Sequence, residues 1–264
     1  MKPIQTLPAG LSLVKHNQLD ILHIHHTTFN AKVALQGAQL LSWQPSHCSQ
    51  DVIWLSDVEP FETGVAIRGG VPICYPWFGG VKQPAHGTAR NRLWVLTKAD
   101  VLADRVLLEL ALADEALMQM ELGDECRLTF THLASEPAQV ALHSYFKVAD
   151  IAQVELHNLP NESFNSVEQS IQAVTSPRKF ANLVDEIYTA NGLPTLIVDP
   201  IEKRQISVEH QNASEVVVWN PWYKAMSGMN ETGHKTMVCV ETARIHRWLN
   251  QGETITAKFS VQAL

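Results

Sequence analysis

Several features that would place a chain quickly are scarce or missing. Only four cysteines occur in 264 residues, Cys48, Cys74, Cys126 and Cys239, and no two of them form a CxxC pair. That spacing excludes the usual zinc-ribbon patterns and gives no sign of a disulfide framework. The four sit in or beside apolar runs, so free buried thiols are expected, in a reducing, cytoplasmic setting. No run of ~18 apolar residues is present, which excludes a membrane-spanning helix. The opening segment, MKPIQTLPAGLSLVKH, lacks the apolar centre of a signal peptide. Positive charge is in deficit, with 20 Lys and Arg against 27 Asp and Glu and a net charge of −7. Bulk electrostatics therefore argue against a nucleic-acid partner, while leaving room for a local anion pocket. The glycine-rich nucleotide loops GxGxxG and GxxxxGK are absent, and so is the GxSxG nucleophile elbow. Helical periodicity is scarce too. Only Ala113–Glu121 and one turn at Asp57–Phe61 read as helical.

What remains is strand after strand. QLDILHIHH, AKVALQGAQLLSW, DVIWLS, DRVLLELALA, ECRLTFTHLA, QVALHSYFKV, RQISVEH, SEVVVWNP, KTMVCVETARI and ETITAKFSVQAL are short apolar or β-branched runs bounded by turn residues. Arg204–Glu209 and Thr254–Val261 alternate cleanly, as half-buried strands do. Val216–Trp219 is continuously apolar and suits a central strand covered on both faces. The polar stretch Asn158–Ser176 reads as surface loop and edge strand. The pattern predicts an all-β antiparallel sandwich, with residues 1–264 forming one domain.

Chemistry-bearing residues concentrate in a few segments. Ala66–Asn91 holds two glycine pairs, Arg68, His86 and Arg90, in company too apolar for ordinary surface arginines. A guanidinium offers a planar fork of donors suited to phosphate or carboxylate; bracing loop carbonyls is the plainer alternative. His143 lies in the strand-like run ALHSYFKV, and Glu241 near the end of the run TMVCVE. A carboxylate held in a cleft can have its pKa raised towards that of a general base; at the surface it does nothing of the kind. Asp185, beside Tyr188, suits either a sugar hydroxyl or a turn. Trp77, Phe78, Trp219, Trp222 and Tyr223 offer stacking surfaces or core. His23 and His25 share a strand face, but no third ligand completes a metal spacing, so no metal is expected.

Taken in order, IRGGVPICYPWFG, HGTARN, LHSYFKV, VDEIYT, VVWNPW and KTMVCVE resemble the aldose 1-epimerase superfamily. Within it they are similar to the hexose-6-phosphate mutarotase, or glucose-6-phosphate 1-epimerase, branch, over about Leu35 to Gln262. The resemblance implies a galactose mutarotase-type β-sandwich. It places the general acid on His143 and the general base on Glu241. It places phosphate contact on Arg68 and Arg90, and sugar contacts on His86 and Asp185. Three positions depart from the branch: Ala85 stands where some relatives have glutamine, with Gln83 two residues earlier. Gly228 replaces a frequent aspartate, and Thr242–Ala243 replace a proline-containing turn.

The implied reaction interconverts the α and β anomers of a hexose 6-phosphate by opening and closing the ring. It needs an acid and a base but no cofactor. The implied partner is the sugar phosphate alone, with no nucleic acid and no membrane, and a monomer is expected. A carbohydrate-binding module and an epimerase for unphosphorylated sugars are the alternatives. His143 and Glu241 are expected to converge in one cleft, about a sugar ring's width apart. The pH profile is expected to be bell-shaped, with Glu241 setting its acidic limb and His143 its basic limb.

Overall fold

The computed structural model describes residues 2–264. Every regular element is a strand or a single 3-10 turn, and among the described residues there is no α-helix. Three antiparallel sheets account for the strands. The largest has nine strands, running from the edge pair Arg178–Lys179 through the hairpins at Thr195–Gln211 to Val95–Val101. A second has eight strands and a third has four, Leu11–His16, Leu19–His25, Phe29–Ala34 and Gln39–Pro45.

Alternation decides which face of each strand goes inside. In the eight-stranded sheet, Val216, Val218, Val238, Val240, Val140 and Phe146 point into one continuous core. They meet Leu128, Phe130, Ile206, Val208 and Phe259 of the nine-stranded sheet there. Their neighbours Val217, Cys239, Ala141 and Ala243 point the other way, into two small separate clusters. This outer face is the one that carries the site.

Three expectations fail locally. Ala113–Glu121 is rich in helix formers, yet Ala116–Leu122 is a strand paired on both sides. Ala116, Met118, Met120 and Leu122 are buried while Gln119 and Glu121 are exposed, a period of two that burial enforces over local propensity. Asp57–Phe61 is a turn closed by Glu59 N–H donating to Ser56 O, not a helix. DVIWLS forms only isolated bridges, Ile53 to Phe146 and Leu55 to Gly69. Elsewhere the pattern holds: Glu215–Asn220 is a central strand, and Ser170–Ala173 closes one edge of the eight-stranded sheet. All four cysteines are free, three of them buried and Cys48 half-buried. No helix of the described residues is long and apolar enough to cross a membrane.

Candidate active site

The long strand Met237–Leu249 organises the outer face. Leu142 pairs with Thr242 on one side of a break and Tyr145 pairs with Cys239 on the other. Carrying that common register across the break sets His143 opposite Glu241. Glu241 pairs in turn with Val217, and Val217 with Ile187. The next row, two residues along, is Tyr145, Cys239, Trp219 and Asp185. Alternation turns both rows to the same side. Cys239, Val217, Ala141 and Ala243 are small, so the sheet presents a shallow floor with the polar groups standing on it.

Directly opposed residues bring their side chains together. His143 Nε2 lies 3.4 Å from Glu241 Oε1, and both side chains are almost completely buried, 10% and 2% exposed. The pair is therefore in contact, not a ring's width apart as expected from the sequence. The chemistry explains why contact suits it: the anomeric oxygen and the ring oxygen of a sugar are bonded to the same carbon. Two groups serving those atoms belong side by side. His143 Nδ1 and Glu241 Oε2 are buried with no hydrogen-bond partner in the protein. Buried polar atoms are nearly always paired; among the eight unpaired side-chain atoms of the described residues, these two belong to a single touching pair, which leaves that pair free to bond a ligand.

Loops supply the rest. The break after Leu142 is laced to the Ile67–Ile73 segment: His143 N–H donates to Pro72 O at 2.9 Å and Tyr145 N–H to Gly70 O at 3.0 Å. Gly69 sits at φ +108°, and a Cβ there would lie 2.7 Å from Trp54 O, which is why this crossing needs glycine. Arg68 leaves that crossing towards the site, giving one bond to Ser227 O at 3.0 Å and one to Tyr145 Oη at 3.1 Å. Arg90, on the 3-10 turn Ala89–Asn91, donates to Ala85 O at 2.8 Å and keeps a buried, unpartnered Nε. Both arginines thus brace loops and retain donors. His86 sits at φ +67°, a conformation rare outside glycine and concentrated at functional sites. Its ring meets His143 edge-on at 5.7 Å. Asp185 is half-buried one row from Glu241, with Lys224 as its neighbouring cation.

The site is buried, and that sets its electrostatics. Burial, reinforced by Asp185, raises the Glu241 carboxyl well above the carboxylate range, with Arg90 opposing. Burial, followed by His86, Arg90 and Arg68, holds the His143 imidazole well below its usual value. His86 is pushed down to about 4 by burial and the two arginines, so it is neutral at pH 7. Asp185 is raised by burial.

All six residues singled out in the sequence lie around this floor. Among the aromatics, Trp219 touches the His143 ring edge at 6.0 Å and Phe78 the His86 ring at 5.1 Å. Trp77 instead faces Lys82, while Trp222 and Tyr223 line a separate cavity of about 500 Å³ with His234. Sequence reasoning passed over Tyr145 and Trp54. Tyr145 is two residues from His143 and so shares its strand face, a signal that was there to read. His16 and His23 meet through Nε2 at 2.9 Å on the four-stranded sheet, away from this floor. Among the described residues no three His, Cys, Asp or Glu side chains are grouped to hold a metal ion.

Residues 20–262 match the family described as Aldose 1-epimerase. The chain belongs to the aldose 1-epimerase family. It is 48% identical, over 98% of either chain, to a Haemophilus influenzae protein named "Putative glucose-6-phosphate 1-epimerase". A crystal structure of a Salmonella typhimurium protein, described as "a putative mutarotase", superposes with a TM-score of 0.93 at 32% identity, covering 100% of this chain and 97% of that one. Galactose 1-epimerase from Lactobacillus acidophilus shares the fold, with a TM-score of 0.75 at 13% identity over 98% and 99% of the two chains. The all-β sandwich expected from strand spacing is thus that of the galactose mutarotase relatives.

Proposed function

We propose that this protein interconverts the α and β anomers of a hexose 6-phosphate, with glucose 6-phosphate as substrate. The observation that carries this is the buried His143–Glu241 contact at 3.4 Å with two arginines beside it. The sugar lies across the pair. Glu241 takes the proton of the anomeric hydroxyl while His143 gives a proton to the ring oxygen. The bond between C1 and the ring oxygen breaks and the hydroxyl becomes an aldehyde. The aldehyde turns about its bond to C2, and closure on the other face returns both protons. The reactive form of the pair is carboxylate with imidazolium, one of the two arrangements of its single proton, and in the open-chain state both groups are neutral.

Burial favours that neutral state, because it raises Glu241 and lowers His143. The proton transfers are thereby brought closer to energetic balance, where general acid–base catalysis is most effective, at about 10²–10⁴-fold per group. Arg68 and Arg90 hold the 6-phosphate, so that remote binding energy keeps the sugar in place while its reacting end turns. Neutral His86 and the Asp185 carboxyl meet sugar hydroxyls. A binding module on the same sandwich needs no acid and base in contact, which favours the enzyme.

A mutarotation assay on freshly dissolved α anomers, corrected for the spontaneous rate, tests this. Glucose 6-phosphate is expected to be turned over with kcat/KM at least about tenfold above glucose, as charge-assisted bonds to a phosphate imply. Equal values for the two sugars refute the phosphate reading, and no acceleration of either leaves a binding module.

A further inference from the structure

Nothing in the protein hydrogen-bonds the His143 side chain well. Its Nδ1 is unpartnered and its Nε2 stands 3.4 Å from Glu241. Packing must therefore fix the ring's direction. His86 and Trp219 meet it only by their edges, at 5.7 and 6.0 Å. Tyr145 lies flat against it, with ring centroids 4.8 Å apart and planes within 9°. Tyr145 is itself held. It is 2% exposed, stacks on Trp54 at 5.8 Å and 20°, and accepts a hydrogen bond on its hydroxyl from Arg68 Nη1 at 3.1 Å.

We propose that Tyr145 is a positioning residue that couples the anion end of the site to the acid: its ring orients the His143 imidazole, and its hydroxyl ties that ring to Arg68. This rests on the function proposed above and adds a link between its two halves. A phosphate engaging Arg68 fixes the guanidinium, the guanidinium fixes the phenol, and the phenol fixes the imidazole. The flat stack also favours the protonated acid, since a cation over an aromatic face is attracted by the ring quadrupole. The other charged or titratable groups facing His143 are Glu241, His86, Arg90 and Arg68. All but Glu241 oppose its protonation. Tyr145 is not a proton donor in turn, because burial raises its own pKa far above neutrality and its oxygen is engaged by Arg68.

Two variants separate the ring from the hydroxyl. Tyr145→Phe keeps the stack and removes the acceptor for Arg68. It is expected to raise KM for glucose 6-phosphate about three- to tenfold and to lower kcat only about two- to threefold. Tyr145→Leu removes the stack as well, and is expected to lower kcat by a further factor of about ten. A filler of core space alone would not split KM from kcat between the two variants. A second readout needs no turnover: the His143 imidazole resonance on titration with inorganic phosphate. It is expected to move in the parent and to move much less in Tyr145→Phe, which is the smaller change and keeps the fold. The link is overturned if the phosphate-induced shift is the same in Tyr145→Phe and parent, or if the two variants have identical kinetics. If the parent turns over no hexose phosphate but the shift and its loss are seen, the function fails and the coupling stands.

Discussion

Glu241 stands in the long strand Met237–Leu249 and His143 opposite it, in a two-residue break between paired segments, whereas Arg68, His86 and Arg90 come from loops. The reacting end inherits its geometry from a sheet register that is the same on both sides of that break. The anion end is assembled from chain crossings tied by single hydrogen bonds, such as Arg68 to Ser227 O and Arg90 to Ala85 O. Proton transfer tolerates little displacement, and rigid elements meet that need. A phosphate is large, symmetric and doubly charged, so loops can hold it with less exact placement. The division also separates the charges. The acid–base pair is pushed towards neutrality by burial, while the arginines keep a positive field in a chain whose net charge is −7.

The strongest way to break this division is at the reacting end. Glu241→Gln and His143→Asn are each expected to lower kcat for glucose 6-phosphate by about 10²-fold or more, while calorimetry still records binding. Retention of parental rates in both variants would mean that neither residue is catalytic. At the other end, Arg68→Ala and Arg90→Ala are expected to raise KM for glucose 6-phosphate about tenfold or more, and KM for glucose far less. Equal effects on both sugars would show loop braces and no more.

The finest test is the pH profile, where the burial of both groups bears on the expectation that Glu241 sets the acidic limb and His143 the basic one. The pair works while it holds one proton. Because burial lowers His143, a second proton enters only at low pH; because burial raises Glu241, the shared proton leaves only at high pH. The plateau of the parent is therefore broad, and its limbs belong to the coupled pair. In His143→Asn the residual rate needs ionised Glu241, so it fails on the acidic side, above the usual carboxylate range. In Glu241→Gln it needs protonated His143, so it fails on the basic side, below the usual imidazole range. Rate profiles of all three proteins decide this. Limbs that stay in place in both variants would assign the titrations to other groups.

The same contrast explains what could be read from the amino acids. The segment holding Arg68, His86 and Arg90 stood out, because glycine pairs, prolines and arginines make poor strand material, but anion contact and loop bracing stayed equally open for the arginines and the role of His86 came from the resemblance. His143 and Glu241 looked like ordinary strand residues, and the resemblance to known enzymes was needed to single them out. Their contact was not legible at all, since it depends on which strands pair and in what register. Tyr145 was missed for the same reason, although its spacing from His143 put it on the same face. The failed helix at Ala113–Glu121 belongs here too. Its composition favours a helix, and only pairing with Val106–Leu112 and Cys126–His132 makes it a strand.

Each arginine proposed to hold the phosphate also fastens a loop, and this narrows how the protein can change. Lysine's three donors radiate from one nitrogen, so it cannot reach a carbonyl and an anion set as far apart as the separate nitrogens of a guanidinium can. The usual conservative exchange is therefore closed at Arg68 and Arg90. A descendant drifting towards unphosphorylated sugars would lose a fastening with every cation it discarded. It would have to acquire a replacement for the Ser227 or Ala85 tie together with the new preference, so that specificity and loop architecture are inherited as a single trait.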